Sequence, residues 1–156
     1  MTTIINGSSP SITFSDSTTQ ATAAPYGPTF SYNASSGQTL TNATNTKLTY
    51  TTNDWDTTGG MYSSSRFTPT IAGYYQISCS VYINGANNMQ LSLNRNSSEY
   101  IRFAQLSGYS IGGSGIVYFN GSTDFVEVYM YNGNGSSVTV NGYSFCKFQA
   151  AMVRSA

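Results

Sequence analysis

Short runs rich in Tyr, Phe, Val, Ile and Thr recur about every 8–12 residues from residue 29 onward, and Gly, Asn and Ser separate them. This spacing is typical of the strands of a β-sandwich or barrel. No stretch shows a sustained helical period of apolar residues, so the chain is predicted to be all-β. The predicted strands are 29–34, 47–52, 73–83, 89–95, 99–106, 115–120, 124–131, 137–140 and 143–153.

Four Asn-Gly pairs mark the ends of predicted strands, and they begin at Asn84, Asn120, Asn132 and Asn141. Asn and Gly adopt positive φ at little cost, which is typical of tight turns between strands. Residues 108–115 are also rich in Gly. Because this stretch lacks the Lys and the following helix of a phosphate-binding loop, it is predicted to be a flexible turn.

Apolar and polar residues alternate within the predicted strands, and strand side chains point to opposite faces with a period of two. The residues predicted to face inward are Tyr75, Ile77, Cys79, Val81, Ile83, Val126, Val128, Met130, Cys146, Phe148, Ala150 and Met152. Many aromatic residues fall on the outward faces, which is typical of an oligomer interface. The interface candidates are Tyr74, Tyr82, Phe125, Tyr129, Tyr131 and Phe145.

Neutral groups must cover most of the surface, because charged residues make up 8% of the chain while Ser, Thr and Asn supply 58 of its 156 residues. Six Lys and Arg and a net charge of zero leave no basic stripe, so nucleic-acid binding is disfavoured. Membrane insertion is disfavoured too, since no apolar run approaches the roughly 18 residues of a spanning helix. Residues 1–24 lack the basic and apolar regions of a secretory signal.

The chain is long enough for one compact domain and too short for two. Residues 29–156 are predicted to form that domain. Residues 1–28 are small, polar and interrupted by Pro, and are predicted to form an extended N-terminal arm. Such an arm is expected to attach the protein to a partner or, alternatively, to fold back on its own domain.

Short motifs occur in order along the predicted domain: Arg66-Phe67-Thr68-Pro69, Ala72-Gly73-Tyr74-Tyr75, STDFVEV at residues 122–128, and a closing YSFCKFQAAMV. They resemble the signature of the complement C1q and tumour necrosis factor superfamily, which has Phe-Thr-x-Pro, Gly-x-Tyr and Gly-Asp-x-Val-x-Val segments. Thr123 and Cys146 stand where that family usually has Gly. The resemblance covers residues 29–156 and implies a ten-strand jelly-roll β-sandwich that assembles as a homotrimer.

The superfamily's topology would place the strands of Cys79 and Cys146 side by side in one sheet. The resemblance therefore makes a disulfide between them geometrically possible. Free, buried thiols are the alternative expected of a chain without an export signal. The spacing of the two cysteines does not match a zinc site.

A second resemblance concerns residues 12–23, which read ITFSDSTTQATA. The segment resembles the Ser/Thr-rich arms of bacteriophage tail-fibre and other virion proteins, which dock on a larger assembly. It implies a virion component, made in the host cytoplasm, that binds a major capsid or tail protein through residues 1–28. The missing signal peptide and the missing collagen-like repeat also favour a viral over an animal protein.

Catalytic chemistry has little support, because the absence of His removes the usual base of a Ser or Cys nucleophile. Asp54 and Asp56 flank the single Trp, Trp55, in a predicted loop. They are weak candidates for calcium ligands, since calcium needs about six to eight oxygens. The alternative is that Asp54 caps a turn and Trp55 packs across the loop. No catalytic residue, cofactor or other metal site is predicted.

The leading hypothesis is a trimeric bacteriophage capsid decoration protein or short fibre, a non-enzymatic structural component anchored by its arm. The alternative is a tail-associated receptor-binding module that contacts host glycans through loops near Trp55 and Tyr109. A polysaccharide depolymerase is disfavoured, because glycoside hydrolysis needs two carboxylates across a cleft and the sequence offers only the pair around Trp55.

Overall fold

The computed structural model describes residues 27–156, apart from the side chain of Leu106, and three two-residue strands before them. Those strands are β1 (Ile4–Ile5), β2 (Ile12–Thr13) and β3 (Thr19–Gln20), which pair antiparallel in the order β1-β2-β3. The predicted arm comprised residues 1–28. Apart from these three strands, its residues 1–26 lie outside the described part of the chain.

Eleven further strands occupy residues 27–156, and no helix occurs among them. They are β4 (Thr29–Asn33), β5 (Gln38–Leu40), β6 (Thr44–Lys47), β7 (Thr52–Asp56), β8 (Tyr62–Ser63), β9 (Arg66–Phe67), β10 (Gly73–Arg95), β11 (Ser98–Phe119), β12 (Val126–Asn132), β13 (Val138–Asn141) and β14 (Lys147–Ser155). Every pairing among them is antiparallel. The prediction of an all-β chain is confirmed.

The strands form two layers that share the long strands β10 and β11. The front layer has the order β7-β4-β14-β10-β11 and uses residues 73–82 of β10. The back layer places residues 89–95 of β10 between β11 and β12, and β6 and β9 pair with the far edge of β12. This arrangement is the jelly-roll β-sandwich that the resemblance implied.

The β10–β11 hairpin bends where it passes from the front layer to the back layer. Bulges interrupt its register between Tyr82 and Met89. Within this bend Gly85 and Asn88 have φ of +66° and +49°, which Gly and Asn adopt more easily than other residues. The prediction of separate strands at 73–83 and 89–95 is wrong, because the Asn-Gly pair forms a bulge within one strand instead of reversing the chain.

The Gly-rich residues 108–115 lie inside β11 and are not the flexible turn that was predicted. Their glycines are required by close packing. A Cβ at Gly113 would lie 2.6 Å from Cγ of Phe103, and one at Gly115 would lie 2.8 Å from Cδ1 of Ile101. Side chains from the first half of β11 therefore cover the glycines of its second half.

The predicted strand at 47–52 is also wrong, because β6 ends at Lys47 and β7 begins at Thr52. Leu48 and Tyr50 are buried as the alternation suggested, at 2% and 1% exposure. However, the Tyr50 amide donates to Oγ of Ser65 at 2.8 Å and not to a neighbouring strand. The short strands β5, β8 and β9 have too few residues to produce an alternation that could be recognised.

The core lies between the two layers, and the inward faces predicted for β10 and β12 are confirmed. The five predicted residues of β10 are at most 5% exposed, and those of β12 are fully buried. Phe67, from the back layer, joins the layers: its ring centroid lies 4.9 Å from that of Phe30, 5.3 Å from Tyr75 and 5.7 Å from Phe119.

Both cysteines are free and buried. Cys79 lies on β10 opposite Phe148 of β14, and Cys146 lies just before β14. Burial raises the pKa of the Cys79 thiol to about 12. Burial also raises the pKa of the Cys146 thiol, and the structure has no disulfide between the two residues.

We expect Gly113→Val to lower the free energy of unfolding by about 1–3 kcal/mol, because the added atoms overlap the Phe103 ring. At a strand position with open space around the Cβ, the opposite sign would be expected, since Val favours strands over Gly. Urea unfolding measures the change. Ser98→Val is the matched control, because Ser98 lies on the same strand, is exposed and is outside the front face. A Gly113→Val variant as stable as the unmodified protein would contradict this account.

Candidate functional site

The outer face of the front layer, called the front face below, has a neutral polar centre. Ser31, Gln149, Ser78 and Ser114 lie directly opposite one another on β4, β14, β10 and β11. Gln149 Nε2 donates to Ser31 Oγ at 3.0 Å, and Ser78 Oγ donates to Gln149 Oε1 at 3.5 Å. Three of these four side chains are serines, so little of the centre projects from the sheet.

Exposed aromatic and aliphatic side chains flank this centre on both sides. On one side, Tyr74 and Tyr118 pack with their ring centroids 5.3 Å apart, beside Ile116, which is 56% exposed. On the other side, Tyr82 packs against three further rings: Tyr109, Tyr143 and Phe145. Clusters of exposed apolar side chains of this kind mark interaction surfaces.

The six predicted interface residues divide between opposite faces of the sandwich. Tyr74, Tyr82 and Phe145 lie on the front face. Phe125, Tyr129 and Tyr131 lie at or on β12, with their side chains on the outer face of the back layer. Ile116, Tyr118 and Tyr143 also lie on the front face and were not among the predicted interface residues. The first two alternate with buried Val117 and Phe119, so the period of two could have identified them.

Asp54, Trp55 and Asp56 lie on strand β7, so their predicted placement in a loop is wrong. Asp54 accepts hydrogen bonds from Ser31 and Asn33 and forms an ion pair with Lys147. The Lys147 hydrogen bond, followed by that of Ser31, lowers the pKa of Asp54. The loop packing proposed for Trp55 is also wrong, because its side chain is 46% exposed.

The two carboxylates of β7 do not converge on a common point. Asp56 accepts from the Tyr32 hydroxyl at 3.0 Å and from the Thr58 amide at 2.7 Å, whereas Asp54 has the separate partners named above. In the part of the chain that the structure describes, no three His, Cys, Asp or Glu side chains come together. The geometry of Asp54 and Asp56 therefore gives no support to a calcium site.

Trp55 and Tyr109 do not form a joint site. Trp55 lies on β7, at one edge of the front layer, and Tyr109 lies on β11, at the other edge. Neither residue is in a loop, contrary to the prediction. Trp55 borders a shallow groove of about 210 Å³ together with Gln76 and Gln149, which Tyr109 does not reach.

Glu127, on the outer face of the back layer, is the centre of a second polar cluster. Its Oε1 accepts from Lys47 Nζ at 2.7 Å and from Arg66 Nε at 2.9 Å, and its side chain is only 3% exposed. Burial raises the pKa of Glu127, but the hydrogen bonds from Lys47 and Arg66 outweigh it, so the pKa lies below the ordinary value of 4.5. The sequence analysis did not identify this cluster.

A carboxylate whose pKa is lower in the folded state stabilises the fold above its unfolded-state pKa, and that stabilisation is lost as the pH falls through the folded-state value. We therefore expect Glu127→Gln to lower the free energy of unfolding at pH 7 by about 1–3 kcal/mol. Its stability should also fall less steeply below about pH 4.5. Urea unfolding at several pH values measures both effects.

The matched control is Glu99→Gln, which removes an ion pair with Arg102 whose side chains are 41% and 48% exposed. Exposed pairs of this kind contribute about 0–1 kcal/mol, so this variant should differ little from the unmodified protein. Equal losses in Glu99→Gln and Glu127→Gln would show that the buried cluster has no special role in stability.

Comparison with solved structures finds proteins of the same fold at low sequence identity. Murine APRIL matches with a TM-score of 0.61 and 12% identity over 79% of this chain and 95% of that one. The globular domain of zebrafish complement 1qA protein matches with 0.57 and 14% over 83% and 99%. Eiger TNF from S. frugiperda matches with 0.57 and 12% over 83% and 92%.

These neighbours have the C1q and tumour necrosis factor fold, which confirms the predicted resemblance at the level of fold. No family model matches the sequence, and no curated protein matches it. The described part of the chain contains no helix long and apolar enough to cross a membrane.

Proposed function

We propose that this jelly-roll domain is the homotrimeric head of a bacteriophage virion protein, a capsid decoration protein or short fibre. The protein would be made in the host cytoplasm and anchored to a major capsid or tail protein by residues 1–28. The observation that carries the proposal is the front face, with its serine-rich centre and its exposed apolar side chains. A structural component needs such a surface and no catalytic residues.

The front face suits association between copies of the chain. Its central positions are small, including Ser78, Ser114 and Ala151, so another subunit can approach the sheet closely. Tyr74, Ile116 and the rings around Tyr82 would then be covered on both sides of the contact. Aromatic residues are enriched, and charged residues depleted, at the centres of protein interfaces.

The arm supports a virion role through its sequence. Its Ser- and Thr-rich residues 12–23 resemble the docking arms of bacteriophage proteins. The alternative, a glycan-binding module built on Trp55 and Tyr109, has weaker support because these two residues lie at opposite edges of the front layer.

We expect the unmodified protein to sediment with three times its 16.7 kDa chain mass. Ile116→Asp should reduce this to the mass of one chain, because it would bury an unpaired charge at the interface. Ile71→Asp is the matched control: Ile71 is 45% exposed but lies in the loop before β10, outside the front face. A mass of one chain for the unmodified protein would contradict the trimer, whereas dissociation of both variants alike would contradict the front face as its interface.

Removal of residues 1–26 tests the attachment role separately. This variant keeps Gly27 and Pro28, because the Pro28 carbonyl accepts from the Met152 amide at 3.1 Å. We expect it to keep the mass of the full chain but to fail to join particles that lack this protein. Particle binding is measured by co-sedimentation, with the full chain as the control. Full attachment of the shortened chain would contradict the docking role.

A further inference from the structure

A pocket of about 380 Å³ lies at the edge of the back layer, away from the front face. The chain around it comes from β6 and from the β8–β9 hairpin. The side chains that matter for its chemistry are Lys47, Met61, Ser63, Ser64, Arg66 and Thr68. Three hydroxyls, two cations and one apolar side chain thus face a space large enough for a small organic molecule.

The pocket has a net positive charge. Two of the six Lys and Arg residues of the chain meet there, and the only carboxylate they bond to, within residues 27–156, is that of Glu127. Because Glu127 is buried behind them at 3% exposure, the exposed parts of the cluster are cationic, with Lys47 and Arg66 at 29% and 44%. An anion entering the pocket would meet the two cations before the carboxylate.

The guanidinium of Arg66 is held in a fixed orientation. Its Nε donates to Glu127 at 2.9 Å, and its Cζ lies 4.0 Å from the centroid of the Phe125 ring. Among the described residues, none accepts a side-chain hydrogen bond from the two Nη groups of Arg66. A planar guanidinium held in this way binds carboxylates through two parallel hydrogen bonds, and its fixed position reduces the entropy lost on binding.

The turn beside the cations is the two-residue turn of the β8–β9 hairpin, which requires positive φ at both of its central residues. Ser64 and Ser65 both have positive φ, +51° and +57°, an uncommon conformation for residues other than Gly, Asn and Asp. The conformation of Ser65 is stabilised by a contact with Tyr50, because the Ser65 hydroxyl accepts a hydrogen bond from the Tyr50 amide at 2.8 Å. Ser64 is exposed and makes no comparable contact within residues 27–156. The turn therefore places the exposed Ser64 hydroxyl beside the pocket, next to Ser63 and Arg66.

We propose that this pocket binds a sugar that carries a carboxylate. Arg66 would bind the carboxylate with its two Nη groups and Lys47 would add a second positive charge, while Ser63, Ser64 and Thr68 would hydrogen-bond to the sugar hydroxyls. A simple inorganic anion would use the cations but leave the hydroxyls and most of the pocket unused. This inference goes beyond the proposed function and depends neither on trimer formation nor on the arm.

The test is a titration of the full-length protein with methyl β-glucuronoside, followed by nuclear magnetic resonance or calorimetry. Methyl β-glucoside, the methyl ester of the glucuronoside, sodium acetate and sodium sulfate serve as comparison ligands. We expect saturable binding of one glucuronoside per chain. The two neutral sugars should bind at least about tenfold more weakly, because they lose a charge-assisted hydrogen-bonding partner. Acetate and sulfate should also bind more weakly, since neither reaches the three hydroxyls.

Two variants locate the binding site. Arg66→Gln should weaken glucuronoside binding by about tenfold or more, whereas Arg154→Gln, which removes a charge from an exposed arginine outside the pocket, should leave it unchanged. Ser64→Gly removes one hydroxyl while relieving the positive φ, and it should weaken binding without reducing stability. The comparison of glucuronoside with its ester on the unmodified protein needs no folded variant.

Several results would overturn the proposal. The absence of glucuronoside binding would reject the site, and equal binding of the glucuronoside and its ester would reject the carboxylate. Sulfate or acetate binding as tightly as the glucuronoside would mean a general anion site with no role for a sugar. Equal weakening in the Arg66 and Arg154 variants would place any binding elsewhere.

Discussion

The β10–β11 hairpin is the constraint on which both layers depend. Each of its strands is hydrogen-bonded in the front layer over one half and in the back layer over the other. The bend between Tyr82 and Met89 therefore sets how the layers lie against each other. The inward residues of β10 are buried on both sides of that bend, so a single pair of strands supplies core residues to both layers. A shift in its register would move this whole set away from the core.

Besides the hairpin, polar contacts join segments of the chain that are distant in sequence. Glu127 binds Lys47, 80 residues before it, and Asp54 binds Lys147, 93 residues after it. Asp124 accepts from Arg95 at 2.7 Å and from Asn96 at 2.8 Å. Three of the six carboxylates thus form ion pairs between separate segments of the chain. The front face carries the Asp54–Lys147 ion pair and the exposed Arg154 opposite Tyr74, but neutral and apolar groups form most of it. This excess of neutral and apolar groups is the basis of the proposed association between subunits.

The two proposed surfaces differ because their chemistry differs. The front face offers exposed apolar side chains and short neutral side chains, which suit a protein partner. The pocket at Lys47 and Arg66 offers charge, hydroxyls and a small volume, which suit a small anionic ligand. They lie on opposite layers of the sandwich, so a subunit whose front face is covered could still hold a ligand in the pocket.

The sequence by itself determined the all-β class and the inward faces of β10 and β12, because a period of two is visible along a single strand. The aromatic residues of the front face were partly predictable for the same reason. Gly85 and Gly113 were misread as turn residues, since a glycine at a bulge or under a packed ring has the same local sequence as one in a loop.

Only the tertiary structure decided which of these residues meet. Trp55 and Tyr109 lie at opposite edges of one layer, whereas Lys47 and Arg66 converge on Glu127 from positions 80 and 61 residues away. Such neighbours depend on the pairing and register of strands distant in sequence. The period of two shows which face a residue occupies, but it contains no information about which strand lies beside it.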